Sequence, residues 1–190
     1  MDVKTNEDLK LDIPPLKSGK PINVTAEAPP GLAAYVASLV KRADAIKKKM
    51  VTPEEDNMLK ICNDGRLAAL DVRLKVPGLK DYPGSKVNVL VEGVSNIYKG
   101  VNKVKGTQLI FLDLSTPKAK DKEESEDAGA DEDEENLTAS EQQTFSSVYQ
   151  DIKNKLVKSG VKKEEIAFIH DAKTNIQKQA IFDKMNTGEL

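Results

Sequence analysis

The sequence predicts an α/β fold with a parallel sheet, on three observations. Two apolar runs, TQLIFLD (107–113) and EIAFIHD (165–171), are each bounded by polar residues. Such runs suit strands covered on both faces. Helical periods precede, separate and follow them, so from residue 85 the order reads helix, strand, helix, strand, helix. Two parallel strands joined by a helical crossover connect right-handedly. The third observation is the acidic stretch that begins soon after the first strand. A loop there leaves from the sheet's carboxyl edge, where an insertion costs little and where open α/β sheets bind ligands.

Residues 1–20 are polar and contain IPPLKSGKP, which predicts an irregular lead-in. PINVTAE (21–27) alternates apolar and polar residues as a short strand would. From Leu32 to Met50 the apolar positions Tyr35, Val36, Leu39, Val40, Ala43 and Ile46 step by threes and fours, the mark of an amphipathic helix. Thr52, Pro53, Glu54 and Glu55 then read as a helix start. Asp64-Gly65 reads as a turn or C-cap, and RLAALDVRL (66–74) as a further short helix.

A long helix is predicted from Ser85 to Val104, with Val87, Leu90, Val91, Val94, Ile97, Tyr98, Val101 and Val104 on its apolar face and Gly106 ending it. After the first 107–190 strand comes the acidic insertion, 118–138, whose composition predicts disorder. Ser140 to Lys158 reads as a helix with Phe145, Val148, Tyr149, Ile152 and Leu156 inward and Gly160 as its stop. TNIQKQAIFDKMNTGE is a final helix, capped by Thr174 or Asp171. The division expected is 1–20 lead-in, 21–105 strand and helices, and 107–190 a βαβα unit.

Composition sets the class. The chain has 190 residues, 38% hydrophobic and 32% charged, which suits one domain. No apolar run is long enough to cross a bilayer, and MDVKTNEDLKLD offers no apolar core of a signal peptide. One cysteine, Cys62, excludes an internal disulfide and fits a reducing compartment, so a cytoplasmic location is expected. Residues 121–135 hold ten carboxylates and one lysine, a local charge of −9. With −2 on the whole chain, +7 is left for the rest. A basic body is compatible with nucleic acid and equally with no anionic partner.

Chemical motifs are sparse. Gly19-Lys20 is followed by Pro21 and lacks the glycine spacing of a phosphate loop, and no GxGxxG occurs. One Cys and one His give no metal-ligand pair. His170 at a strand end reads as a general base or as a polar cap. Cys62 reads as a small buried hydrophobe. Lys173, Lys178 and Lys184 surround the start of the last helix, with Ser115 and Thr116 at the same predicted edge. A helix N-terminus favours phosphate, so these residues would form a phosphate-contacting rim.

Several stretches resemble one family in its own order. GKPINVTAEAPPGLAAYVASLV is similar to the strand and helix that open the second, C-terminal RecA-like lobe of Swi/Snf-related superfamily 2 helicases. DNMLKICNDGRLAALD and SKVNVLVEGV resemble the segments that follow, and TQLIFLDLSTP looks like helicase motif IV. VYQDIKNKLVKSGVKKEEIAFIHDAKTNIQKQAIFDKMNTGE resembles the next helix, strand and helix. The nearest resemblance is to helicase–methylase proteins of phages and mobile elements. Lys178 stands near the family's usual Arg, and the chain stops at Leu190, before the places of motifs V and VI.

This resemblance implies a partial RecA-like lobe of a larger ATP-dependent DNA helicase or translocase. Its implied DNA-backbone contacts are Ser115, Thr116, Lys173, Thr174 and Lys178. Its implied partners are DNA and the other lobe. ATP and Mg would belong to the parent protein, with no cofactor in this chain and no ATP hydrolysis by it alone. Two other classes stand beside this: a non-catalytic domain docking a basic partner through the acidic loop, and a Rossmann-like small-molecule enzyme using the edge formed by DLSTP and HDAKT.

Overall fold

The computed structural model describes Leu16 and residues 18–115 and 147–190, and these residues contain five α-helices. Helix α1 spans Leu32–Lys47, α2 Met58–Leu70, α3 Lys86–Val101, α4 Val148–Lys158 and α5 Asn175–Thr187. Among the described residues there is no strand and no sheet. The predicted parallel-sheet α/β fold, and with it the RecA-like lobe, is overturned by this finding.

Local chemistry explains where the helices start and stop. Gly31, at φ +90, precedes α1, in a conformation that disfavours any side chain. An added Cβ there would also lie 3.2 Å from Leu79 Cδ1. Asn57 caps α2, its side chain accepting from the Lys60 amide at 2.9 Å. Ser85 and Ser147 cap α3 and α4 in the same way. Thr174 caps α5 in a full capping box with Gln177, and Gly188 at φ +73 closes that helix.

Two helix boundaries differ from the sequence reading. Thr52 and Glu55 do form the reciprocal contacts of a helix start, with the Thr52 amide 2.9 Å from Glu55 Oε2. That turn is not propagated, and α2 begins only after Asn57. The predicted break at Asp64-Gly65 is absent, and α2 runs through it to Leu70. Asp64 spends its carboxylate on Arg42 and Lys75 instead of on the backbone, each at 2.5 Å. Gly65 sits in the helix facing α1, where an added Cβ would make an ordinary contact with Leu39 Cδ1 at 3.6 Å.

Packing falls into two helix pairs, α1 on α2 and α3 on α4. The main core is Val87 and Val91 of α3 with Val148, Ile152 and Leu156 of α4, closed by Val161. All but Val161 are positions that helical spacing assigned inward. Leu70 and Leu74 reach this core from the α2 end, and Leu112 and Ile166 from the two segments read as strands.

Ionic contacts tie the pairs together. Arg73 grips Asp71 through two nitrogens, at 2.9 and 2.6 Å, and reaches Asp151 of α4 at 2.8 Å. Lys155 joins Asp81 and Asp151 at 2.9 and 2.7 Å. Burial would push the Asp81 carboxyl up, but Lys155 and Arg73 outweigh it and hold it below the ordinary range.

The apolar runs read as strands behave differently from strands. Residues 107–113 carry no regular secondary structure, and among the described residues no backbone group pairs with theirs. Phe111 is 90% exposed and Leu109 63%. In the second run, Ile166 and Phe168 are extended while Lys163–Glu165 and Ile169–Asp171 close into 3-10 turns. PINVTAE forms no strand either: the Glu27 amide donates to the Gly84 carbonyl at 3.1 Å, but Ile22 and Val24 are exposed. The predicted helix start at Ser140, with Phe145, and the acidic insertion lie outside the described residues.

Candidate functional site

The described residues named from sequence as a phosphate rim stand at the starts of two different helices. The Ser115 hydroxyl accepts from the Val148 amide at 3.4 Å, which places it at the start of α4. Thr174 stands at the start of another helix, α5, and its hydroxyl is taken by the Gln177 amide at 3.2 Å. The amides of Lys173 and Thr174 both donate to Gln177 Oε1, at 2.8 and 3.1 Å. The capping box thus already occupies backbone donors that an anion would use. Lys173 and Lys178 project from this exposed end, and neither meets a carboxylate at ion-pair distance among the described residues. Thr116 lies outside the described residues.

His170 is exposed and stacks edge-on against Tyr149, with ring centres 5.3 Å apart. Among the described residues no nucleophile is hydrogen-bonded to it. Cys62, expected to be buried, is exposed on α2. The described residues contain no cluster of three His, Cys, Asp or Glu side chains able to hold a metal ion.

What the fold does build is a cleft of about 550 Å³. Its walls are the C-terminal half of α3, the non-helical segment Gln108–Leu112, α4, the loop through Phe168, and one side of α5. Ile152 and Leu156 form part of its floor, and Phe111, Phe168 and Phe182 belong to its lining. The size and lining match those of sites that enclose an apolar ligand.

Side chains, and not a sheet ladder, hold the walls in place. Gln108 Nε2 donates to the Val94 carbonyl at 3.0 Å, and the Thr107 hydroxyl donates to the Met185 carbonyl at 2.9 Å. The Tyr149 hydroxyl donates to the Leu112 carbonyl. Tyr149 also meets Phe168 edge-to-face at 5.7 Å, so one aromatic residue braces both walls. Lys153 Nζ lies 5.0 Å from the centre of the Phe168 ring. Glu165 receives the Tyr98 hydroxyl at 2.6 Å and Lys162 at 3.0 Å, and these hold its carboxyl below the ordinary range.

Sequence reasoning missed this cleft although it identified both walls. The two apolar runs were visible, but alternation and hydropathy carry no information on whether a backbone partner arrives. No protein family, curated protein or solved structure matches this chain.

Proposed function

We propose that this chain is a non-enzymatic binding module that takes an apolar partner into the cleft. One observation carries the reading: Phe111 and Leu109, 90% and 63% exposed, stand at an apolar cleft of about 550 Å³. Clustered exposed apolar surface of this kind marks binding sites. The motor-lobe expectation has lost the parallel sheet that organised it. The docking of a basic partner was assigned to the acidic insertion, 118–138, which lies outside the described residues.

The test is fluorescence of 1-anilinonaphthalene-8-sulfonate with the whole chain and with a Leu109→Ser/Phe182→Ser variant. The expected outcome is saturable enhancement that the variant loses while its helical circular dichroism is unchanged. Equal enhancement in both proteins would sink the reading.

Contact with DNA phosphates is a second reading, favoured by Lys173 and Lys178 standing clear of carboxylates at the exposed start of α5. It requires an affinity that falls steeply with salt and weakens in Lys173→Glu/Lys178→Glu. Binding unaffected by that reversal of charge would end it.

A further inference from the structure

We propose that the occupant of the cleft is an extended apolar peptide strand with acidic flanks, added to the backbone edge of Leu109–Phe111. The proposal rests on the cleft being a binding site and names what binds there.

The backbone supplies the first reason. Among the described residues, the amides and carbonyls of Leu109, Ile110 and Phe111 have no protein partner. Ala167 on the facing wall has none either. An unpaired, non-helical segment is a template for strand addition, in which the main chain supplies affinity and alternate side chains fill pockets. This edge is also preorganised. Gln108 and Leu112 are pinned on either side of the open stretch by their contacts with Val94 and Tyr149. Ordering it on binding therefore costs little.

Charge supplies the second reason. Lys105 and Lys153 both line the cleft, and neither lies within ion-pair distance of a carboxylate among the described residues. The one acid of the lining, Glu165, is already engaged by Tyr98 and Lys162 and feels Lys105 at longer range. The cleft rim thus has cationic capacity to spare, which an acidic flank would meet. The alternatives each leave something unmet. A fatty acid would match the apolar floor and the lysines but not the row of backbone groups. A helix pairs its own backbone and would also leave that row bare.

The experiment uses the full chain and a labelled peptide, Glu-Val-Thr-Ile-Thr-Leu-Thr-Glu, read by fluorescence anisotropy. Saturable binding is expected. Methylating alternate peptide amides is expected to weaken it about tenfold or more, the effect of losing even one or two main-chain bonds. Exchanging the terminal glutamates for lysines is expected to weaken it severalfold, and Lys105→Glu is expected to reverse that preference. Equal binding of the methylated peptide would overturn the strand. If the anilinonaphthalene dye binds and none of the peptides does, the strand proposal fails while the cleft reading stands. If the dye fails too, both fall. Displacement of the dye by oleate but not by peptide gives the cleft to a lipid, and concentration-dependent self-association that blocks the dye gives it to a second copy; either result overturns the proposal.

Discussion

At the scale of single residues, burial separates positions that look alike in sequence. Ile152 and Phe182 are both apolar and both sit on predicted helix faces. Ile152 is buried in the core, whereas Phe182 is 42% exposed at the cleft. Ile152→Ala is expected to cost about 2–4 kcal/mol in urea unfolding, since it leaves a cavity in a packed layer. Phe182→Ser should stay within about 1 kcal/mol, because little packing is lost at an exposed position. Gly31 carries a backbone constraint instead of a packing one. Its positive φ and the nearby Leu79 mean that Gly31→Ala should destabilise by about 1–2 kcal/mol, measured the same way.

At the scale of elements, the helices are joined by charge as much as by apolar contact. Arg42 bridges Asp56, in the loop before α2, and Asp64 within it, at 2.7 and 2.5 Å. The Arg42 hydrogen bond holds the Asp56 carboxyl below its ordinary value of 3.8. For Asp64, burial pushes upward, but Lys75 and Arg42 prevail and its carboxyl also stays below 3.8. A carboxyl lowered on folding stabilises the fold above the unfolded value and loses that contribution as pH falls through the folded one. Stability should therefore change little between about pH 7 and 5 and decline below about pH 4 through these groups. In Asp64→Asn that decline should be shallower, as thermal melts across the pH series would show.

Arg73 plays the corresponding part between the α2 end and α4. Removing it strands Asp71, whose side chain is only 4% exposed. Arg73→Ala is expected to cost about 3 kcal/mol, because a buried carboxylate left without its partner is expensive.

At the scale of the whole molecule, α3 and α4 enclose the main apolar core and leave the two apolar runs, 107–113 and 165–171, largely uncovered. The cleft of about 550 Å³ lies along these segments. The isolated chain is expected to hydrolyse no ATP, measured as phosphate release with Mg present, since the sequence supplies no phosphate-cradling loop. Turnover abolished by substitutions on this chain would refute that expectation. No helix among the described residues is long and apolar enough to cross a membrane.

The sequence by itself determined the helices and the inward faces of two of them. Helical spacing picked out Val87, Val91, Val148, Ile152 and Leu156, and all are buried, because a 3.6-residue period is a local property of the chain. Thr174, one of the two caps proposed for α5, and Gly160 as the stop of α4 were legible for the same reason. Tertiary structure decided the rest. A strand is defined by a second backbone at hydrogen-bonding distance, which no property of TQLIFLD alone can provide. Asp64-Gly65 carries the local signal of a turn, yet Arg42 and Lys75 claim the carboxylate and α1 packs against the glycine. The cleft has the same origin. Its walls are written in the two apolar runs, but their separation exists only because α3, α4 and α5 hold them apart.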